Sequence, residues 1–321
     1  MASPNLSEIV TTTLRNRSKR LADNVSNNNA LLLRLRQRGN NRTFAGGHNI
    51  TAELEYAENN TFKRYSGFET LNIQPSDVFS AAEYEIKQAA VAVTISGLEQ
   101  LQNSGPEQMI DLLESRISNA ERTMLNNLSA DLYSDGTADS GKQITGLQAV
   151  VADGGGGTVG GIDSATFPFW QNQVYDFSTQ GVTPGPDTIQ SAMNTLFLDA
   201  ARGNDRPDLV VADNKFFRYY WESLQAIQRL QDEKLGAAGF ENLKFMGADV
   251  VFDGGQDGAA PTEHMYFLNT NFLHFRSHRD RNMNVINGDR FATDQDAMVR
   301  LIGWAGNLTC SNRALQGVIV A

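Results

Sequence analysis

The chain has 321 residues, of which 40% are hydrophobic and 20% charged, with 28 glycines, 8 prolines and one cysteine. This composition excludes a disordered chain and a disulfide-built scaffold, and it predicts a folded body rich in turns. The formal net charge of −10 is uneven: residues 1–42 hold eight basic residues against two acids, so a +6 arm precedes a −16 body, and such an arm predicts an acidic contact, either sister subunits or a nucleic acid.

The first residues, MASPNLSEIV, lack an apolar core of signal-peptide length, and no apolar run approaches the roughly 18 residues that a membrane span needs. A lone Cys310 fits synthesis in a reducing cytosol.

Residues 1–50 read as an extended arm with local helix. Ser7 could cap a segment carrying Val10, Leu14 and Leu21, and LLLRLRQRGN follows the Asn24–Asn29 tract. The arm has too little apolar periodicity to fold alone, so it gains order only by packing on something else. Residues 51–75 read as a projecting hairpin. Leu54 and Tyr56 alternate with acids, Asn59-Asn60 supplies the turn, and Phe62, Tyr65, Phe68, Leu71 and Ile73 mark the return strand. A lone two-stranded hairpin is marginal in water, and its aromatic residues predict docking on a partner.

Residues 78–96 read as one long strand, ended by Gly97 and a short helical turn. The clearest element is a helix over 106–134. Pro106 takes its first position, Glu107 and Asp111 suit its positive end, and Ile110, Leu113, Ile117, Ala120, Met124, Leu128 and Leu132 recur at threes and fours. Its length of about 40 Å makes it a spine for other elements. Beyond it, residues 135–162 read as a Gly-rich loop around ITGLQAVVAD, 186–202 and 214–231 as helices, and 208–213, 243–252, 265–269 and 272–276 as strands, before a strand-rich tail. The class is α+β, without internal repeats.

The short motifs point to no chemistry. Gly155, Gly157 and Gly160 match GxGxxG in form but lack the strand before and the helix after that a phosphate site needs. His278-Arg279-Asp280 has none of the other kinase parts. His264, His274 and His278 lack a further Cys or Glu that would complete a metal set, and they read as polar residues in a basic cluster with Arg276, Arg279 and Arg281. Cys310 has no nearby His and reads as a small buried residue. No catalytic, cofactor-binding or metal residue is assigned, and the chain reads as a non-enzyme.

Taken in order, the parts resemble the major capsid proteins of tailed bacteriophages, with their HK-ninety-seven-type fold. The stretches that carry the resemblance include LRNRSKRLADNVSNNNALLLRLRQRGN, ITAELEYAENNTFKRYSGFETLNIQPSDVFSAAEY, QAAVAVTISGLEQLQNSG, NAERTMLNNLSADLYSDGT, DLVVADNKFFRYYWESLQAIQRL, FMGADVVFDGG, HMYFLNT and MVRLIGWAGNLT. The resemblance implies an N-arm over 1–50, an E-loop over 51–75, a peripheral domain over 76–184 with the spine helix at 106–134, an axial domain over 185–290, and terminal strands over 291–321 returning to the peripheral domain.

By the same resemblance, the chain would assemble with itself as pentamers and hexamers into an icosahedral shell around double-stranded DNA, which it contacts weakly and without sequence specificity. Larger precursors in the family carry a scaffolding segment before the arm. This chain starts at the arm, which implies a separate scaffold protein or a removed segment. A portal and a decoration protein would be further partners, no membrane would be, and the location would be the virion after synthesis in the host cytoplasm. Expected contacts to neighbours are Phe62, Lys63, Arg64, Tyr65 and Phe68 from the E-loop and Arg15, Arg17, Lys19, Arg20, Arg34, Arg36 and Arg38 from the arm. Glu107, Asp111 and Glu114 on the spine helix are expected ion-pair partners. Some members crosslink an E-loop Lys to an Asn, for which Lys63 with Asn307 or Asn312 would be the pair here, against a plain reading of Lys63 as a surface ion pair. The alternatives are an encapsulin-type compartment subunit and, more remotely, a soluble enzyme with an unrecognised site.

Overall fold

A computed structural model describes residues 30–102, 112–228, 243–254, 258–286, 290–291 and 295–321. Its first helix, α1 (Ala30–Gln37), places Leu31, Leu32 and Leu35 on one face, and all three are buried. Gly39, at φ +74°, ends it, with Asn40 N–H donating to Leu35 O and Gly39 N–H to Arg36 O. Only a residue free to turn left-handed closes a helix this way. The chain then enters β1 (Asn41–Phe44).

Strands β2 (Asn49–Glu55) and β3 (Phe79–Glu85) form an isolated antiparallel ribbon, in register from Asn49↔Glu85 to Glu55↔Phe79. The return strand is therefore residues 79–85 and not the expected 62–73. The reason lies in spacing: Phe62, Tyr65, Phe68 and Leu71 are three apart, and a strand presents one face only at every second residue. The long strand expected over 78–96 divides at Ile86 into β3 and β4 (Lys87–Ser96), which belong to different sheets.

Ser96 and Glu99 then cap α2 (Gly97–Gln102) reciprocally, each accepting the other's backbone N–H. The spine α3 (Leu112–Asp131) buries Ala120, Met124 and Leu128 and packs along β4. Arg116 of α3 pairs with Glu99 at 3.0 Å, and its hydrogen bonds lead in lowering the Glu99 carboxyl to about 2. The expected start of this helix at Pro106 lies outside the described residues.

The remaining strands and helices are β5 (Thr158–Val159), β6 (Ile162–Asp163), β7 (Gln173–Asp176), α4 (Pro186–Asp199), β8 (Leu209–Ala212), α5 (Asn214–Gln228), β9 (Leu243–Phe245), β10 (Ala248–Phe252), β11 (His264–Leu268), β12 (Leu273–Val285), β13 (Arg290–Phe291), β14 (Ala297–Cys310) and β15 (Gly317–Val320), joined by loops and short helical turns. Residues 243–252, expected as one strand, are a hairpin, because Met246 and Gly247 both take positive φ at its turn.

Two main sheets result. In the first, β14 pairs with β12 and β13 on one side and β4 on the other, and β1 joins the far edge of β12 in parallel. The Phe275 and Trp304 rings stack with centroids 5.1 Å apart across it. The second has the order β7-β15-β11-β8-β10-β9 and is covered on both faces. Leu209 and Val211 of β8 face the core shared with the spine and the first sheet. Val210 and Ala212 face a second core built with Ile189, Met193 and Leu196 of α4 and Phe216 and Tyr220 of α5. This double burial explains why LVVA has no polar alternation. Strand β12 lies in the first sheet, whereas β7 and β15 lie in the second. No helix among the described residues is long and apolar enough to cross a membrane.

Arg313 is fully buried, and none of its hydrogen-bond partners among the described residues is a carboxylate. Its guanidinium donates to Val150 O (2.7 Å), Gly156 O (3.0 Å), Gly157 O (3.2 Å) and Asn172 Oδ1 (3.2 Å), tying the Gly-rich loop to the chain ahead of β15. Each orphaned buried acceptor costs about 1–3 kcal/mol. Arg313→Met is therefore expected to lower unfolding stability by about 3 kcal/mol or more, measured as a drop in the urea midpoint. An unchanged midpoint would show that the cluster carries no stability.

Candidate assembly surfaces

The ribbon has two chemically distinct faces. Ile50, Ala52, Leu54, Ala82 and Tyr84 point inward and are buried, whereas Thr51, Glu53, Glu55, Ala81, Glu83 and Glu85 point outward. The inward face fixes the ribbon to the body. Tyr84 Oη donates to Cys310 O at 2.8 Å and accepts from Cys310 N–H at 3.2 Å. Glu83 N–H donates to Gly160 O at 2.9 Å, and Gly160 (φ +61°) lies so close that a Cβ there would sit 2.8 Å from that of Ala82. At the ribbon's far end, where the loop begins, Tyr56 stacks on Phe169 with centroids 5.7 Å apart.

Beyond this anchored base, residues 56–78 form no regular strand or helix. Phe62 is 78% exposed, Ile73 91% and Phe68 fully, and Tyr65, Leu71 and Phe79 are also exposed. Six large apolar side chains concentrated on one projection form a patch of the kind that marks an interaction surface. The two cations among them make local contacts: Lys63 pairs with Glu69 at 3.1 Å, and the Arg64 guanidinium lies 5.5 Å from the Phe62 ring centroid. Asn307, one of the two residues considered as a partner for Lys63, is fully buried. It accepts from Thr145 N–H at 2.8 Å and donates to Glu85 O at 2.9 Å, so its amide holds the ribbon's exit in place.

The arm helix is clamped at both ends to its own body. At its start Leu31 N–H donates to Asp253 Oδ2 at 3.2 Å, and Tyr133 Oη donates to the same oxygen at 2.5 Å. A carboxylate there complements the positive end of the helix, while burial raises the Asp253 carboxyl pKa. At its end Arg38 pairs with Asp208 and, at 2.9 Å, with Asp249. Arg38 is thus engaged within its own chain. Arg34 lies beside α5, and Arg36 is exposed. Arg15, Arg17, Lys19, Arg20, Glu107 and Asp111 lie outside the described residues, and Glu114 is exposed on the first turn of α3.

Asp208, Asp249, Asp253, Tyr133 and Arg313 were missed by sequence reasoning, because their partners stand more than a hundred residues away. One signal was available for Asp253, since an acid directly after a buried strand often caps a helix. Asp213 after β8 does this for α5, accepting from Phe216 N–H at 2.9 Å. The histidines do not converge: His264 meets Asp153 at 3.2 Å, His278 packs edge-on against Phe44, and His274 is buried. Burial first, then Arg42 and Arg276, lower its pKa to about 4. Burial pushes the Cys310 thiol up to about 12.

No protein-family profile matches the sequence, and no curated protein matches it. Solved structures do. The capsid asymmetric unit of cyanophage A-1(L) superposes with a TM-score of 0.70 at 16% identity, covering 96% of each chain. This is the fold of tailed-phage capsid subunits. The capsid of Myoviridae phage XM1 matches this capsid fold over 96% of the present chain and 97% of its own, with a TM-score of 0.55 at 14% identity. The capsid fold also extends to the holo-SrpI encapsulin complex of Synechococcus elongatus PCC 7942, with a TM-score of 0.58 at 11% identity over 98% and 95% of the two chains.

Two experiments test the anchoring. Gly160→Val is expected to speed hydrogen exchange at the Glu83 amide by about tenfold, whereas Gly154→Ala, in open space, leaves it unchanged; equal rates in both would remove the Gly160 contact as an anchor. Asp208→Asn with Asp249→Asn is expected to cost about 1–3 kcal/mol and to raise exchange across residues 31–37. Retained protection there would mean that the leucines alone hold the arm.

Proposed function

We propose that the chain is the major capsid protein of a tailed phage or prophage, a non-catalytic subunit whose work is self-assembly into an icosahedral shell around double-stranded DNA. The observation that carries this reading is the apolar projection, residues 56–78, on a fold shared end to end with a cyanophage capsid subunit. An isolated subunit leaves these side chains in water. Burying each on a neighbour gains about 2 kcal/mol, reduced by the cost of ordering the loop. Individually modest contacts become strong when a closed shell makes many at once.

In this reading Phe62, Tyr65 and Phe68 are the E-loop anchors, and Lys63 and Arg64 stand beside them to meet acids such as Glu107, Asp111 or Glu114 of an adjacent copy. The basic residues of the arm other than Arg38 clamp an acidic neighbouring body. Pentamers and hexamers are the assembling units, a separate scaffold, a portal and a decoration protein are further partners, and the acidic body limits adhesion of packaged DNA. The subunit is made in the host cytoplasm and ends in the virion. The encapsulin match supports a second reading, a compartment shell that encloses protein cargo.

Electron microscopy of the expressed protein, alone and with candidate scaffolds, tests both. Closed polyhedral particles or uniform five- and six-membered rings are expected. DNA-packaging particles with no cargo enzyme support the phage reading, particles filled with protein cargo the compartment, and persistent monomers under every condition neither. Phe62→Ser with Tyr65→Ser is expected to leave a soluble, folded subunit with particle yield reduced at least about tenfold. Normal yield would remove the loop as a docking element.

A further inference from the structure

Helix α5 carries aromatic residues on two faces. Phe216 and Tyr220 are buried in the second core. Phe217 and Trp221, one turn apart on another face, remain half-exposed. Together with Val250, Val251 and Phe252 of β10 they line a groove of about 650 Å³, which Asn214, Arg218 and, from α1, Arg34 complete. The Phe217 and Phe252 rings lie 5.2 Å apart. Among the described residues no acidic side chain lines the groove; Glu222 stands outside it, 3.6 Å from the Arg218 guanidinium.

We propose that this groove receives an acidic amphipathic helix from a partner protein. The apolar lining calls for an apolar stripe, and the two guanidiniums call for carboxylates flanking it. An extended peptide is disfavoured because both edges of β10 are taken, by β8 and by β9, leaving no backbone ladder to join. A helix satisfies its own backbone and offers side chains at the one-turn spacing of Phe217 and Trp221. The chain's own residues 1–29 are a poor occupant, since four basic residues against two acids give them the same sign as the groove. The exposed loop of a second copy, residues 56–78, has no helix to offer. Tryptophan and arginine are also the side chains that most often dominate binding energy when covered by a partner.

The chain has three tryptophans. Trp170 and Trp304 are only 1% and 2% exposed, so Trp221 reports on the groove by fluorescence. The full-length protein is titrated with a synthetic helix of about 18 residues, long enough to hold helix in water, with leucine on one face and glutamate elsewhere. A twin with lysine in place of glutamate is run beside it. Saturable binding of the glutamate helix alone is expected, with reduced acrylamide quenching that Trp221→Phe abolishes. Arg34→Glu with Arg218→Glu, checked for fold by circular dichroism, is expected to weaken binding at least about tenfold. Equal binding of both helices, or unchanged affinity after the charge reversal, overturns the proposal. Trp221 protection that rises with protein concentration alone also overturns it and assigns the groove to a second copy. The measurement needs no shell, so its failure is separate from any failure to form particles.

Discussion

The constraint on which the rest depends is the position of β14. Its fourteen residues are bordered by β4 on one side and by β12 and β13 on the other, and the ladder with β4 runs unbroken from Ala297↔Ser96 to Gly306↔Lys87. The ladder fixes β4, and β4 carries the spine helix on one face. At its other end Cys310 holds Tyr84 by two hydrogen bonds, so the same strand sets the direction in which the ribbon leaves the body. A ribbon without sheet neighbours has no stiffness of its own, and its aim is imposed by this base.

Much of this organisation was legible in the sequence, for identifiable reasons. The spine, α4 and α5 were visible because core-facing residues recur at threes and fours, and β8 and β11 because short apolar runs suit strands buried on both faces. The exposed rings stood out because aromatic residues in so polar a segment have no local core to join. The pairing of β2 was misassigned because partner choice is decided at a distance: the aromatic segment that follows β2 in the sequence has the wrong period, and the true partner begins at Phe79. The clamp on α1 and the Arg313 cluster were hidden for the same reason. A lone Asp or Arg looks alike in sequence whether it faces water or a buried carbonyl.

The arm shows how composition and structure can point in different directions. Its basic residues suggest a segment reserved for other molecules, yet the part described is built into its own body through three leucines, one carboxylate and Arg38. Between these two anchors, Arg34 hydrogen-bonds to Gln37 of the same helix and Arg36 is exposed. The helix thus has a hydrophobic anchor on one face, a clamp at each end and charge on its other face.

The location of β15 bears on when the protein can become sticky during synthesis. This strand lies between β7 and β11, with Val318 in one core and Ile319 in the other. Its neighbours come from residues 173–176 and 264–268, so β7 has no partner in the second sheet until residues 317–320 have left the ribosome. Contacts so distant in sequence close slowly. A nascent chain therefore holds an incomplete second sheet, with Val318 and Ile319 missing from both cores, until that strand emerges.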